Sequence, residues 1–274
     1  MKFGQAAVLA GALTGIVSAQ VPTVNQGGVV NSASYAIINP SGSLIVIFGT
    51  NMASKAGELL IASSTLLSTQ AQGGSDTVSV KINGIATPMY YVTSTQSSVQ
   101  LPWNTATGTA NIVVTLNGKA SASQSMQVGT FSPGIFTQLQ NGKGAGLVFN
   151  AITGAMAQPP GTRAGATPAK IGDHLFVYAT GLGSVTPTIA DGAAPCVLAG
   201  CKPTDKQRTT TTTPTVMIGG VSAPVKFSGL SPQFVGVYQV NFDVPSGVPT
   251  GNTVPLQIKI GGVTSTDQVT IAIQ

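Results

Sequence analysis

Residues 172–183 read GDHLFVYATGLG, and residues 42–52 have already spelled a variant of the same run, GSLIVIFGTNM. Laid in register, Phe48 falls on Tyr178, Thr50 on Thr180 and Asn51 on Gly181. Three more matches follow in the same order. VSVKINGIATPMYY (78–91) resembles TVMIGGVSAPVKF (215–227), with Pro88 on Pro224; QLPW from Gln100 resembles DVPS from Asp243; IVVTLNGKASA from Ile112 parallels LQIKIGGVTST from Leu256. Collinear matches of this kind mark an internal duplication.

Each block is a short apolar or alternating run bounded by Gly, Asn, Pro or Ser, which is the signature of strands joined by tight turns. Asn83-Gly84, Gly219-Gly220, Asn117-Gly118 and Gly261-Gly262 supply the positive φ angles that two-residue hairpins require. Only KAGELLIASSTLL, from Lys55, has helical character, and it reads better as a strand with its connections. Charged residues make up 7% of the chain, about a quarter of the usual share, while Val, Thr, Ser and Gly abound. The expected fold is all-β: two tandem immunoglobulin-like β-sandwiches. The expected divisions are a signal peptide over 1–20, one sandwich over 21–130 and a second over 131–274, with a joint of a few residues between Thr130 and Pro133.

The leader expectation comes from MKFGQAAVLAGALTGIVSAQ, in which Lys2 precedes an apolar run and Val17-Ser18-Ala19 offers small residues for cleavage near Ala19 or Gln20. The apolar run is short and Gly-rich for a membrane span, so the expected location is secreted or at the cell surface, with no span after cleavage. Loss of Lys2 lowers the formal charge from +5 by one. The remaining basic residues are scattered, and the small group Lys202, Lys206 and Arg208 lacks interleaved aromatics, which argues against nucleic acid. Cys196 and Cys201 bracket VLAG in an exported chain, so a local disulfide is expected, and two cysteines with one histidine are too few for a metal site.

His174 is the sole histidine, and Asp173 stands before it. The first copy builds the same strand with Ser43 and Leu44, so the fold does not require either ionisable group. Neighbours on a strand point to opposite faces, so Asp173 is badly placed to orient His174, and no GxSxG elbow occurs. No close carboxylate pair suits glycoside hydrolysis, and Asp191-Gly192 and Asp205 read more cheaply as turns than as a calcium loop. NGKGAG, from Asn141, lacks the P-loop spacing and reads as a turn between FTQLQ and LVFNA. No catalytic residue, metal or cofactor is expected.

Trp103, Tyr90, Tyr91, Phe227, Phe234 and Tyr238 are the aromatics considered for sugar stacking. Tyr91 and Phe227 occupy matched positions, which favours a core role; Trp103, whose counterpart is Ser246, is the candidate ligand contact, with core or domain-interface packing the favoured reading over ligand stacking. The halves differ most between Thr186 and Pro214, where the second carries TPTIADGAAPCVLAGCKPTDKQRTTTTTP, a polar insertion with the cysteines and the run Thr209 to Thr213. Such a loop is either functional or a tolerated insertion.

SPGIFT (132–137), GAGLVFNA (144–151), IGDHLFVYATGLGSVTP (171–187), IGGVSAPVKFSGLSPQFVGVYQVNFDVP (218–245) and GNTVPLQIKIGGVTS (251–265) resemble the C-terminal domain family of Solibacter-type acidobacterial exported proteins. NSASY from Asn31 and IFGTNM from Ile47 resemble the immunoglobulin-like TIG/IPT modules. The resemblance implies an exported β-sandwich protein with no catalytic residues to carry over. The function expected first is a non-enzymatic structural or interaction protein of the cell surface or extracellular matrix. Its partner would be protein, including its own copies, or extracellular polysaccharide. One form of self-assembly is strand addition, with Gln20, Val21, Val24, Val29 and Val30 as the donated segment. A carbohydrate-binding or adhesion module is the alternative, and a hydrolase ranks last.

Overall fold

The structure is a computed structural model that describes residues 20–55, 60–61, 66–73, 76–196, 207–266 and 268–274. Apart from Gln20, the expected leader lies outside the described residues, as does Cys201. The first half contributes β1 (Thr23–Asn31), β2 (Ile38–Pro40), β3 (Leu44–Thr50), β4 (Leu60–Ile61), β5 (Gln70–Gly73) and β6 (Asp76–Ile82). It continues with β7 (Ile85–Ala86), β8 (Met89–Val92), β9 (Gln96–Gln100), β10 (Gly108–Leu116), β11 (Lys119–Ala120) and β12 (Gln124–Gly129). The second half contributes β13 (Gly134–Ile135), β14 (Gly144–Ala145), β15 (Val148–Asn150), β16 (His174–Thr180), β17 (Val185–Thr186), β18 (Thr209–Thr210) and β19 (Thr215–Ile218). It ends with β20 (Val221–Ala223), β21 (Val225–Leu230), β22 (Tyr238–Asp243), β23 (Gly251–Ile260), β24 (Val263–Thr264) and β25 (Val269–Ile273).

These strands make four sheets, two per half. In the first half β1-β3-β9-β8-β4 faces β2-β12-β10-β6-β5; in the second, β13-β16-β22-β21-β18-β17 faces β14-β25-β23-β19-β20. The fold is therefore a tandem of immunoglobulin-like β-sandwiches, as the strand-and-turn pattern predicts. Between each pair of sheets lies a core built from alternate residues: Ile45, Ile47, Val80, Ile112 and Val114 in the first, Leu175, Val177, Val240, Phe242 and Ile258 in the second. Polar or part-exposed residues occupy the intervening positions of β6 and β10, the period-2 pattern of a sheet with one dry face.

The duplication extends to single hydrogen bonds. Gly42 N–H donates to Leu101 O at 2.8 Å, and Gly172 N–H to Val244 O at 2.9 Å; Leu101 N–H donates to Ser43 O, and Val244 N–H to Asp173 O. Ser121 and Ser265 each cap the neighbouring strand through Oγ, on Val114 N–H and Ile258 N–H. The four hairpins close on Asn83-Gly84, Asn117-Gly118, Gly219-Gly220 and Gly261-Gly262, all with positive φ at both residues. That is the geometry of the type I′ turn, whose twist matches that of the strands it joins.

Strand β3 departs from alternation. Ile45 and Ile47 enter the first core, yet Leu44 and Val46, on the opposite side, are also buried, at 6% and 5% exposure. The second half covers them. Leu44 N–H donates to Thr180 Oγ1 at 3.0 Å, and that hydroxyl donates to Gly236 O at 3.0 Å. Tyr90 donates its hydroxyl hydrogen to Val235 O at 2.5 Å, and Asn31 Nδ2 donates to Ser132 O at 2.9 Å. Burial holds the Tyr90 phenol well above its ordinary pKa, although the Val235 carbonyl pulls the other way.

Trp103 belongs to the same junction. It packs against the second core, together with Phe131. Its indole nitrogen is buried without a hydrogen-bond partner among the described residues, and its backbone N–H donates to Asp191 Oδ1 at 2.8 Å. The ring fits only because residue 42 is glycine: a Cβ there would lie 2.1 Å from Trp103 Cζ3. The duplicate position, Gly172, has nothing within 4 Å, in keeping with Ser246 standing where Trp103 would.

The insertion starting at Thr186 stitches the halves as well. Gly192 N–H donates to Gln100 Oε1 at 2.6 Å, Leu67 N–H donates to Gly192 O at 2.9 Å, and Leu66 bridges Ala193. Its far end, Thr209–Thr210, is β18, paired between β17 and β21. Among the described residues no helix is long and apolar enough to cross a membrane.

One buried carboxylate anchors the first sandwich. Asp76 is 5% exposed and accepts from Ser54 N–H at 2.6 Å, from the Ser54 hydroxyl, and from Asn117 Nδ2 at 3.0 Å. Burial raises its pKa, but the Ser54 and Asn117 hydrogen bonds outweigh it and hold the value below the ordinary 3.8. A depressed carboxylate stabilises the fold above its unfolded pKa, and that contribution is lost as pH falls through the folded pKa. Asp76→Asn should therefore cost about 1–3 kcal/mol at pH 7, and its deficit against the parent should shrink in denaturation series carried below about pH 4.

The glycine pair gives a second expectation. Both Gly42 and Gly172 have positive φ, 77° and 88°. Alanine at either position incurs left-handed strain of about 1–2 kcal/mol, and at 42 the collision with Trp103 adds about 1–3 kcal/mol of overpacking. Urea unfolding should rank Gly42→Ala clearly below Gly172→Ala.

Candidate functional site

His174 sits at the start of β16 with its side chain 59% exposed. Its partner is not Asp173, whose Oδ2 accepts from Lys170 N–H at 2.9 Å, but Asp243, directly opposite on β22. His174 Nδ1 lies 2.6 Å from Asp243 Oδ1, and Lys226 Nζ lies 3.2 Å from Asp243 Oδ2. The hydrogen bond from His174, aided by Lys226 and opposed by partial desolvation, holds the Asp243 carboxyl below its ordinary pKa. The ring is thus oriented by a carboxylate, yet among the described residues no hydroxyl or thiol hydrogen-bonds to it. The arrangement is a charged trio at a sheet margin. The repeat register marks the pair in retrospect, because Leu44 and Gln100, their counterparts, are also cross-strand partners.

The candidate strand-donor segment is paired within its own chain. Thr23–Asn31 is β1, already antiparallel to β3, with Val24 opposite Gly49, Val29 opposite Ile47 and Val30 opposite Val46. Val29 and Val30 are buried, and Val24 packs on the first core; only Gln20 and Val21 stand exposed ahead of the strand. β3 begins at Leu44, soon after β1 ends at Asn31, and the tether between them favours this pairing by raising the effective concentration of the two strands. The pairing of β1 with β3 is irregular, with a register shift between Val24 and Val29, and such bulges are common on edge strands.

The candidate ligand contact Trp103 is placed in the junction described above. Tyr238 is fully buried and donates its hydroxyl hydrogen to Gly183 O. Tyr91 and Phe227 are half-buried and belong to neither core cluster, a departure from their expected core role: they sit on the outward side of their sheets. Asp191 uses one carboxylate oxygen on Trp103 N–H. Cys196 donates its backbone N–H to Pro232 O at 2.9 Å, and no described cysteine is free.

The surface the sequence left unmarked is the outward side of β16. Leu175, Val177 and Ala179 enter the core, so His174, Phe176 and Tyr178 point the other way. Phe149, opposite Phe176 on β15, stacks on it with ring centroids 5.2 Å apart. Tyr178 meets Phe149, Phe176 and Phe234 edge to face at 5.8, 5.5 and 5.9 Å. Across the sheet, Asn241 stands opposite Phe176 and Gln239 opposite Tyr178, their amides joined by a 2.8 Å hydrogen bond. The result is a patch of aromatic rings, part-exposed, with amides on one flank and the His174–Asp243–Lys226 group at its end. Alternation of aromatics with small apolar residues in HLFVYAT is the signal that could have found it.

Solved structures that align with the chain include the I9–I11 tandem of titin, at 10% identity over 93% of this chain and 67% of that one, TM-score 0.24. SGBP-B from a complex xyloglucan utilization locus in Bacteroides uniformis aligns at 11% identity over 92% and 49%, TM-score 0.25. Domains 5–6 of the S-layer protein SbsC align at 12% over 91% and 99%, TM-score 0.26. No curated protein sequence matches the chain significantly. The resemblance of residues 131–274 to the Solibacter-type family finds no support in the family match, which stops at residue 132. That match is to the IPT/TIG domain: residues 29–132, most of the first pair of sheets, match its model.

Proposed function

We propose that this chain is a non-enzymatic, exported structural or interaction protein whose two sandwiches act as one stiff body and dock through the aromatic face of the second. The observation that carries the reading is the contrast between duplicate faces. Leu44 and Val46 on β3 are covered by the second half, whereas their counterparts His174 and Phe176 on β16 remain partly open. A contiguous aromatic patch rimmed by polar groups is the composition of a protein contact surface.

The surface with which the second half covers the first is already used within the chain, so head-to-tail repetition of the internal junction is closed. A second copy can instead bring the same patch against itself, the self-complementary arrangement of a two-fold dimer. Such a contact buries the rings at its centre and leaves Lys226, His174 and Asp243 at the rim. Export, the Cys196–Cys201 disulfide and kinship of the second half with the Solibacter-type family belong to the same proposal.

Sedimentation and light scattering across a concentration series should show dimers forming with a Kd on the order of micromolar. Phe176→Glu should weaken association by more than tenfold while leaving the melting temperature near that of the parent, since the ring lies outside the core. A chain that stays monomeric at every concentration, or dimers indifferent to Phe176→Glu, would refute the reading. Intact mass of protein recovered outside expressing cells should show a start near Gln20 and the loss of two hydrogens that accompanies one disulfide.

A further inference from the structure

The covered side of β3 is not sealed along its whole length. Between the halves lies a cleft of about 470 Å³, within the roughly 300–1,000 Å³ typical of small-molecule sites. Tyr35, Tyr90, Tyr91 and Gln96 line it from the first half, and Phe136, Leu139 and Gln140 from the second. Not one of its described lining residues is an Asp, Glu, Lys, Arg or His. Four features mark it as more than a packing gap.

First, the walls are fixed: Tyr90 ties the first half to Val235 O at 2.5 Å, and Tyr35 donates its hydroxyl hydrogen to Gln140 O. Second, the two residues so joined at the rim, Tyr35 and Gln140, hold φ of 61° and 51°. Every other described non-glycine residue with positive φ is an asparagine, the residue type that tolerates this conformation best. Backbone strain at bulky residues persists only where the surroundings impose it, and it concentrates at ligand sites. Third, Ser32 Oγ is buried at the cleft without a hydrogen-bond partner among the described residues, and a buried polar atom ordinarily has one. Fourth, Tyr91 Oη accepts from Gln96 Nε2 at 3.3 Å and keeps its own hydrogen to give. Burial and the nearby Tyr35 raise the Tyr91 pKa, so the phenol remains a neutral donor.

We infer that this cleft binds a neutral oligosaccharide, with the tyrosine rings against the sugar's C–H faces and the Gln96, Gln140 and Tyr91 polar groups on its hydroxyls. The absence of charge among the described lining residues selects the class. An anionic sugar would be desolvated here with no cation to meet it, whereas a neutral polyol needs the amides and hydroxyls that are present. The pre-formed walls reduce the ordering cost that binding otherwise incurs.

The site is separate from the aromatic face of the second sandwich, and its test is read by heat rather than by molecular size. Titration calorimetry of the mature protein with cellotetraose, laminaritetraose, maltotetraose and tetragalacturonate should show binding of at least one neutral tetramer and none of the uronate. Tyr91→Phe and Gln96→Ala should each weaken that binding by about tenfold, the value of one directed hydrogen bond. Leu139→Glu, at a position 75% exposed, leaves the folded core untouched, sets a charge at the mouth and should weaken binding at least as much. Phe176→Glu should leave it unchanged. No heat with any neutral tetramer, binding that survives all three cleft variants, or loss caused by Phe176→Glu would each overturn the inference. Self-association is scored in a different experiment, so either conclusion can fail alone.

Discussion

A strand that is apolar on both sides cannot stand at the water-facing side of a sheet. Leu44 to Ile47 is such a run, and the organisation of the molecule follows from the need to keep its second side dry. The second sandwich meets that need with side chains and also with directed bonds, since Thr180 relays between Leu44 N–H and Gly236 O. Hydrophobic contact alone would allow sliding; the relay and the Tyr90 bond to Val235 fix one register. The Trp103 ring over Gly42 and the Gly192 loop on Gln100 then close the far side of the same junction.

The halves are duplicates in backbone and strangers in side chain. Cross-strand registers agree residue for residue: Leu44 faces Gln100 and Val46 faces Ser98, as His174 faces Asp243 and Phe176 faces Asn241. What changed is the character of the outward positions, aliphatic where a neighbour covers them and aromatic or ionised where none does. The first copy became an inner module and the second an outer one through substitutions at these positions, while the hairpins and the two cores kept their geometry.

The parts of this architecture that were legible in the sequence are those written locally. Glycine and asparagine pairs mark hairpins because only those residues adopt the required φ cheaply, and alternation marks the sheets because side chains point to opposite faces in turn. The duplication was legible because both signals recur in order. Asp243 as the partner of His174 was not, because the pairing spans 69 residues and depends on cross-strand register. Trp103 could be singled out as the residue without a counterpart, but nothing in one dimension says whether such a ring meets a ligand or the neighbouring domain. The insertion was equally ambiguous: its polar composition reads as an exposed loop, and its backbone bonds to Leu67 and Gln100 exist only once both sandwiches are folded. Phe149 and Phe176 went unmarked because single phenylalanines in apolar runs look like core until strand phase assigns them outward.

The fit of Trp103 over Gly42 also bears on inheritance. A tandem born by duplication begins with interchangeable copies, and recombination can excise, reorder or multiply them freely. Once one copy carries the indole in the seam and that same copy carries the glycine that makes room for it, while the other supplies the floor, the symmetry is broken. A gene rearrangement that reversed the two copies would strand an aliphatic sheet face and a tryptophan in water. The pair must therefore be transmitted as a single unit, and any lengthening of the array would have to occur at its ends.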